Sequence, residues 1–362
     1  MWSILPSGLV MSVVIASQAW AAETIVSSKG RAYHTGLIHP VGEASGLGKT
    51  HVMLADCENL PEEFDLRDFG VVPPVRDQGN CGSCWAFSVT ASLESAHAGM
   101  TTNVLDLSEQ QIVSCDNESF GCNGGWLNDF AYQIAKGQAS EEAFPYRAAD
   151  VTCRSGLTPI AKATGFMHVG QANRRATEKE VRCALFQSKT IPWITVSANS
   201  QWGNMPTDTN GLHTRCNSGQ TNHAVGLIGW KTVDGKVYFK MRNSWGTEWG
   251  SSAGKEGAET GYAMMGLGCD NLGEEIAYIK TETMRCNVPA PQLPDQTRRV
   301  SGGLTRLAIP AEVGVDYEWY LDGAKIGDGN SAEVSAKDGA IVTVVAKNNY
   351  ATSESSTKLS SF

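Results

Sequence analysis

The sequence predicts an α+β body followed by a small all-β module, on three observations. Helical signals come first. Residues 84 to about 98 carry apolar side chains at Phe87, Val89 and Leu93 and stop at Gly99, and a second helix starts after Ser108, a good N-cap with Glu109 in the first turn. Strand signals come later: HAVGLIGW (223–230) and VYFKMRN (237–243) flank a turn at 231–236 whose Asp234-Gly235 pair marks a hairpin. Finally, residues 304–362 alternate apolar and polar positions between Asp-Gly turns at 322–323, 328–329 and 338–339.

A chain of 362 residues is long for one domain and comfortable for two or three. Its hydrophobic fraction of 41% and charged fraction of 19% exclude wholesale disorder. The net charge of −9 and a pI of about 5.3 argue against a nucleic-acid partner, which calls for a basic surface. Ten cysteines invite a reading as five disulfides.

Taken in order, residues 9–16 (LVMSVVIA) form an apolar run too short to span a bilayer, followed by the small-x-small pattern Ala19-Trp20-Ala21. We read 1–21 as a secretory signal, although residues 1–8 carry no Lys or Arg. No other segment approaches membrane-spanning length, so the chain is expected outside the cytoplasm, secreted or periplasmic, where disulfides persist. Residues 22–58 are polar and rich in Gly and Ser without a helical period, and read as a short pro-segment or linker. Residues 59–286 are dense in Trp, Gly and Cys. Residues 287–303 carry three prolines and read as a linker. The β-module, 304–362, contains no cysteine, and IVTVVA (341–346) is its strongest strand signal.

The stretch QGNCGSCWAF (78–87) contains Cys81-Gly82-Ser83-Cys84-Trp85, which fits the C-G-[SA]-C-[WY] pattern of a nucleophilic cysteine. GCNGG (121–125), HAVGLIGW from His223 and NSWGTEWG from Asn243 follow in order. With these four motifs the sequence resembles the papain-like cysteine peptidases over residues 60 to about 285, more than half of the chain. The resemblance implies a two-lobed fold, a helical lobe bearing Cys84 and a β-barrel-like lobe bearing His223 and Asn243, with the site in the cleft between them.

The chemistry accounts for the residue types. A thiol becomes a good nucleophile on deprotonation, and Cys84 sits at the start of a helix whose dipole favours the thiolate. His223 falls inside the usual window for the partner histidine, about 130–150 residues after the cysteine. It would form a thiolate–imidazolium pair and then protonate the leaving amine. Asn243 would hold the imidazole from its other nitrogen. It lies slightly beyond the same window, which suggests a longer turn at Thr232 to Lys236. By resemblance, Gln78 donates to the oxyanion together with the Cys84 amide, a contribution of about 3 kcal/mol. Trp245 would cover the His–Asn contact, and Trp249 would stand on the leaving-group side. His34, His39, His51, His97, His168 and His213 have no motif support and read as surface or structural.

For substrate, Gly124 and Gly125 would pair with an extended chain by strand addition. The resemblance places Trp126, Leu127, Val196 and Ala224 around the pocket for the second residue before the scissile bond, which should take an apolar side chain. Glu274, five residues after Cys269, stands where cathepsin B carries an arginine-accepting glutamate, and a solvent-exposed Glu is the plain alternative. The stretch from Cys122 to Cys153 is too short for the histidine-bearing loop of a dipeptidyl peptidase, so endopeptidase action is the default. The insertion Ser251 to Thr260 could border the cleft. The short 22–58 segment, lacking a helix pattern, puts zymogen inhibition in doubt.

Cys84 must stay free, which removes the five-disulfide reading. The resemblance pairs Cys81 with Cys122, Cys115 with Cys153 and Cys216 with Cys269. Cys57 with Cys183 is the preferred fourth pair, leaving Cys286 over. No metal or organic cofactor is expected, because the Cys and His residues lack zinc spacing and no phosphate-binding Gly loop occurs. Expected partners are protein or peptide substrates, with no membrane span and a monomeric state. Around Tyr317 to Gly323 the β-module resembles immunoglobulin-like modules of bacterial surface proteins. Adhesion to a cell surface, polysaccharide binding, spacing or a purely structural role stay open for it. The rival functions are transpeptidation or deamidation by the same thiol, and a dead peptidase fold used as an adhesin.

Overall fold

The computed structural model describes residues 22–38, 51–52, 57, 60–101, 103–126, 129–170, 174–281, 298–300, 304–308, 316–329, 331–334, 340–347 and 352–358. The signal segment 1–21, Leu127, Cys286 and most of the linker at 287–303 lie outside them. No helix among the described residues is long and apolar enough to cross a membrane.

The described residues open with a hairpin that sequence reading did not anticipate. β1 (Thr24–Val26) pairs antiparallel with β2 (Ala32–His34), turning through Gly30 at φ 78°. β3 (His51–Val52) and β4 (Glu63–Asp65) later join the large sheet. α1 (Cys84–Thr101) then runs through the centre. Small and apolar residues lie all round it rather than on one stripe, so it is buried on nearly every side. Its polar groups are satisfied internally: Ser88 Oγ donates to the Val225 carbonyl at 2.8 Å, and Glu94 accepts from the Leu107 amide at 2.8 Å. α2 (Glu109–Cys115) starts where Ser108 Oγ accepts the Gln111 amide at 3.0 Å, and α3 (Asp129–Lys136) completes the helical half. Trp85, Val89, Leu93, Ile112 and Phe130 form its core.

The second half is a nine-stranded sheet. It contains β5 (Ala163–Val169), β6 (Trp193–Val196), β7 (Leu212–His213), β8 (His223–Val233), β9 (Lys236–Arg242), β10 (Tyr262–Gly266) and β11 (Ile276–Thr281). The order is β3-β5-β11-β6-β8-β9-β10-β7, with β4 also on β8. α4 (Glu178–Ser188) packs against it and opens on a capping box, Thr177 with Glu180. Trp202, Leu227, Trp230, Phe239, Met241, Trp245 and Trp249 fill the core beneath. The turn between β8 and β9 departs from expectation. It is a tight two-residue turn at Asp234 and Gly235, both with positive φ, and the strands extend to meet it. The long His–Asn spacing therefore lies in strand length and not in a longer loop.

Four disulfides join Cys57 to Cys183, Cys81 to Cys122, Cys115 to Cys153 and Cys216 to Cys269, and Cys84 is free among the described residues. Every pairing expected from sequence is present.

The C-terminal region forms two antiparallel sheets. β12 (Arg298–Val300), β13 (Leu304–Ala308) and β16 (Ser331–Val334) make one. β15 (Ala324–Asp328), β14 (Asp316–Leu321), β17 (Ile341–Lys347) and β18 (Thr352–Lys358) make the other. Leu307, Tyr317, Trp319, Val334, Val342 and Val344 form their shared core, with buried residues alternating along β14 and β17. β12 falls inside the stretch read as linker, so pairing begins earlier than the alternation suggested.

Candidate active site

α1 begins at Cys84, so the thiol sits at the helix N-terminus, with the Cys81–Cys122 disulfide bracing the loop before it. His223 is the first residue of β8, and Asn243 follows the last residue of β9. The hairpin thus sets the His–Asn pair side by side: His223 Nε2 lies 2.8 Å from Asn243 Oδ1. The same Oδ1 accepts the Ser244 amide at 2.8 Å, which fixes which end of the Asn amide is oxygen. His223 Nε2 therefore carries the proton, and Nδ1 is free to act as base. Nδ1 makes no hydrogen bond among the described residues. The Cys84 sulfur lies against backbone groups of Ala224, the residue after His223, of Trp85 and of Gly36.

Around this pair stands a wall of indoles. The Trp245 ring lies 4.7 Å from the His223 ring, centroid to centroid, tilted by 34°. Trp249 is buried, edge-on to Trp245 at 5.6 Å and stacked on Trp202 at 5.9 Å.

Gln78 is buried beside the thiol loop, but its amide is committed. Nε2 donates to the Cys81 carbonyl at 2.8 Å and the His34 carbonyl at 2.9 Å, and Oε1 accepts from Ser244 Oγ at 2.6 Å. The expected oxyanion donor thus holds a backbone carbonyl from the N-terminal segment, and Trp245 Nε1 donates to the same carbonyl at 3.0 Å.

That segment is the main finding sequence reading missed. Tyr33 stacks on Trp245 at 4.9 Å, and Ile25 is buried in the same core. Gly36 and Leu37 both donate to the Asn222 carbonyl, at 3.1 and 2.9 Å. Gly125 donates to the Gly36 carbonyl and accepts from the Ile38 amide, each at 2.9 Å, in parallel register. Gly36 lies so close to Gly82 that a Cβ there would overlap the Gly82 carbonyl. Residues 22–38 therefore cross the site from the Trp245 side to Gly125, and Gly125 makes the strand-type bonds expected of it, here to the chain itself. A substrate whose acyl side lies at Gly125 and whose amine leaves past Trp249 would run the opposite way.

The covering sets the electrostatics. Cys84 is fully buried, and burial pushes its thiol up to about 12. His223 is equally buried, and burial lowers it to about 4, with the Asn243 bond opposing. Under the cover the pair is neutral thiol and neutral imidazole rather than the ion pair expected for an open site.

The remaining candidates are placed as follows. Gly124 has φ 128°, and a Cβ there would meet Ile38. Trp126 is half-buried, 5.8 Å from Phe120. Val196 pairs with His223 across β6 and β8 and is fully buried. Ala224 lies in one cluster with Leu37, Cys84 and Trp85. Glu274 is exposed in the turn before β11. The insertion Ser251 to Thr260 is fastened to residues 67–75: Arg67 Nη1 donates to the Ser252 carbonyl at 2.8 Å, Glu259 accepts the Val75 amide at 2.8 Å, and Lys255 pairs with Asp68.

His213, Cys269 and Asp270 offer ligand atoms within 4.8 Å of one another. Cys269 is in a disulfide and both His213 nitrogens are hydrogen-bonded, so the trio has no free donor set for a metal.

Comparison with known proteins agrees with the geometry. Residues 60–269 match the model of the papain family of cysteine proteases. Zingipain-2 of Zingiber officinale is 34% identical over 198 residues, covering 54% of this chain and 86% of that protein. Cathepsin K of Mus musculus is 33% identical over 218 residues, 59% of this chain and 61% of that protein, so the match takes in less than two thirds of its length. The solved structure of digestive procathepsin L 3 from the Tenebrio molitor larval midgut superposes with a TM-score of 0.54 at 25% identity, over 64% of this chain and 74% of that one. Four disulfides fit an oxidising, extracytoplasmic setting. With the thiol at a helix start, the imidazole and the amide in their places, and a family match spanning more than half its length, the chain belongs to the papain family of cysteine proteases.

Proposed function

We propose that this cysteine peptidase is a secreted endopeptidase that cleaves peptide bonds with Cys84 as nucleophile, His223 as base and acid, Asn243 as the imidazole anchor and Gln78 as an oxyanion donor. The observation that carries the reading is the 2.8 Å contact between His223 Nε2 and Asn243 Oδ1, which leaves Nδ1 as the base beside a cysteine at a helix N-terminus. In the reaction Nδ1 takes the thiol proton and the thiolate attacks the carbonyl. The imidazolium then returns the proton to the leaving amine, and water resolves the acyl-enzyme. Gln78 and Trp245 become available to substrate once the His34 carbonyl leaves them. We also propose that residues 22–38 hold the enzyme latent, supported by their course over Cys84 and their hold on Gly125 and Gln78. This replaces the doubt raised by the missing helical pro-region, since a hairpin and one extended strand can cover the cleft. A substrate laid along Gly125 would meet Trp126, Ala224 and the place now taken by Leu37, and this favours an apolar residue there. The test is thiol-dependent hydrolysis of Phe-Arg and Arg-Arg fluorogenic dipeptides after removal of the N-terminal segment, with Cys84→Ala as control. Turnover on Phe-Arg, abolished in the variant, is expected. No thiol-dependent turnover on either would sink the reading, and a preference for Arg-Arg that disappears in Glu274→Ala would transfer the pocket to Glu274. Transfer of the acyl group to an added amine, giving an amide in place of the acid, would favour the transpeptidase alternative.

A further inference from the structure

Behind the indole wall lies a second polar cluster that the triad does not use. Asp270 is fully buried and held at φ 46°. Its Oδ2 accepts from Trp202 Nε1 at 2.7 Å and from His213 Nε2 at 2.9 Å, and its Oδ1 accepts from the Asn217 amide at 2.6 Å and Asn199 Nδ2 at 3.3 Å. His213 is equally buried, and its Nδ1 lies 3.0 Å from the Pro206 carbonyl. A carboxylate and a carbonyl only accept, so both nitrogens of His213 must carry protons. The ring is an imidazolium, and the cluster is a buried ion pair with its hydrogen bonds filled.

The cluster reaches the site through one side chain. The single polar atom of Trp202 is bonded to Asp270, and its ring touches three others. It stacks on Trp249, and it stands edge-on to Trp245 at 6.1 Å and to His223 at 6.1 Å and 84°. Trp249 Nε1 donates back to the Trp202 carbonyl at 2.6 Å. A buried indole N–H needs an acceptor, and where that acceptor stands sets the ring's place in the wall. Asp270 is that acceptor.

We propose that Asp270, charge-balanced by His213, is a positioning residue for peptide-bond hydrolysis: through the Trp202 N–H it fixes the indole wall that keeps the His223 imidazole on Asn243. The proposal rests on the peptidase reading above. The groups that bear on His213 are Asp270, from the turn after β10, Arg215, from the loop after β7, and the Pro206 carbonyl. Asp208, before β7, is committed to the Asn210 and Leu212 amides. Burial disfavours the charged ring and so does Arg215, but the Asp270 and Pro206 bonds outweigh both, and His213 is raised above its ordinary value. A raised histidine contributes fully below its unfolded pKa, and the contribution is lost as pH rises through the folded one. The ion pair therefore fails on the alkaline side.

Two variants separate positioning from packing. Trp202→Phe keeps a ring and removes the N–H. Asp270→Asn removes the charge and puts an amide NH2 against either the Trp202 and His213 donors or the Asn217 and Asn199 donors, so two donors lose their acceptor. In enzyme activated identically from the full chain, both should lower kcat by ~10-fold while KM stays within about twofold, because a tied ring matters in the transition state and not in binding. Asp270→Asn should also move the alkaline limb of kcat to lower pH. A folded variant with wild-type kcat and limb overturns the proposal. A ring-nitrogen NMR titration of full-length Cys84→Ala protein reads His213 without turnover and does not depend on either variant folding. It should show both His213 nitrogens protonated at pH 7, and a neutral ring there overturns the proposal. If the wild-type chain cleaves no peptide, the peptidase reading fails and the positioning role fails with it. If it turns over while the His213 ring is neutral, only the positioning role falls.

Discussion

Tyr33 should control how fast Cys84 can be reached. Its ring is buried, stacked on Trp245 at 17° between planes, and it anchors the hairpin that leads the strand across the thiol. Truncation to alanine removes that contact in the covered state and leaves the uncovered state nearly unchanged. Replacing a buried aromatic by alanine costs about 3–5 kcal/mol in a core. The lower end applies here, because Ile25, Leu37 and the backbone bonds to Asn222 and Gly125 remain. About 3 kcal/mol corresponds to a factor on the order of 100 in the ratio of covered to uncovered chain. With Cys84 at about 12 under the cover, the covered thiol is unreactive at neutral pH, so labelling reports the uncovered fraction. The assay is alkylation of full-length, uncut protein, followed by mass spectrometry of the Cys84 peptide. Tyr33→Ala should label roughly 100-fold faster than wild type at pH 7, by the same conversion. Equal rates in two folded proteins would refute the argument, because the stack would then contribute nothing to the cover.

Three further outcomes follow from the site. Burial holds His223 at about 4 against an ordinary 6.5, so protonating the ring works against the buried site and the covered form loses its advantage as pH falls from 6.5 through 4. Cys84 labelling in uncut chain, corrected for the reagent's own pH profile, should quicken across that window, and a flat profile would remove His223 from the balance. Asn243→Ala deprives the imidazole of its anchor and should cut kcat by about 10- to 100-fold, the worth of one charge-assisted hydrogen bond, while leaving KM nearly unchanged; an unaltered kcat would free His223 of any need for it. The Cys57–Cys183 disulfide ties the N-terminal segment to α4. A protease cut between Cys57 and Leu60 should therefore leave the fragment attached on a non-reducing gel and release it on a reducing one, and release without reductant would contradict the pairing.

The proposed catalytic residues were legible because their chemistry restricts local sequence. Cys84 needs a helix start, and His223 and Asn243 need adjacent strands, so each carries a motif of its own neighbours. Three of the disulfides were legible through the family resemblance those motifs carry, and the fourth, Cys57 to Cys183, only as a preference among the cysteines left over. The cover was not, since nothing in Tyr33, Gly36 or Leu37 announces a partner. Three-residue strands make no periodicity, and the strand is held by Gly125, Asn222 and Trp245, all far along the chain and in different elements. The flanks of Gly30 were the available signal, Thr24–Val26 and Ala32–His34 around a Ser-Lys-Gly turn, and they were outweighed by the polar composition around them. His213 was illegible in a different way. A histidine without a motif reads as surface or structural, and its charge state depends on Asp270, which is distant in sequence and follows a disulfide cysteine. Local sequence can disclose a nucleophile because reactivity is built from neighbours. It cannot disclose a latch or a buried ion pair, whose free energy comes from desolvation and contact between segments that meet only after the chain has folded.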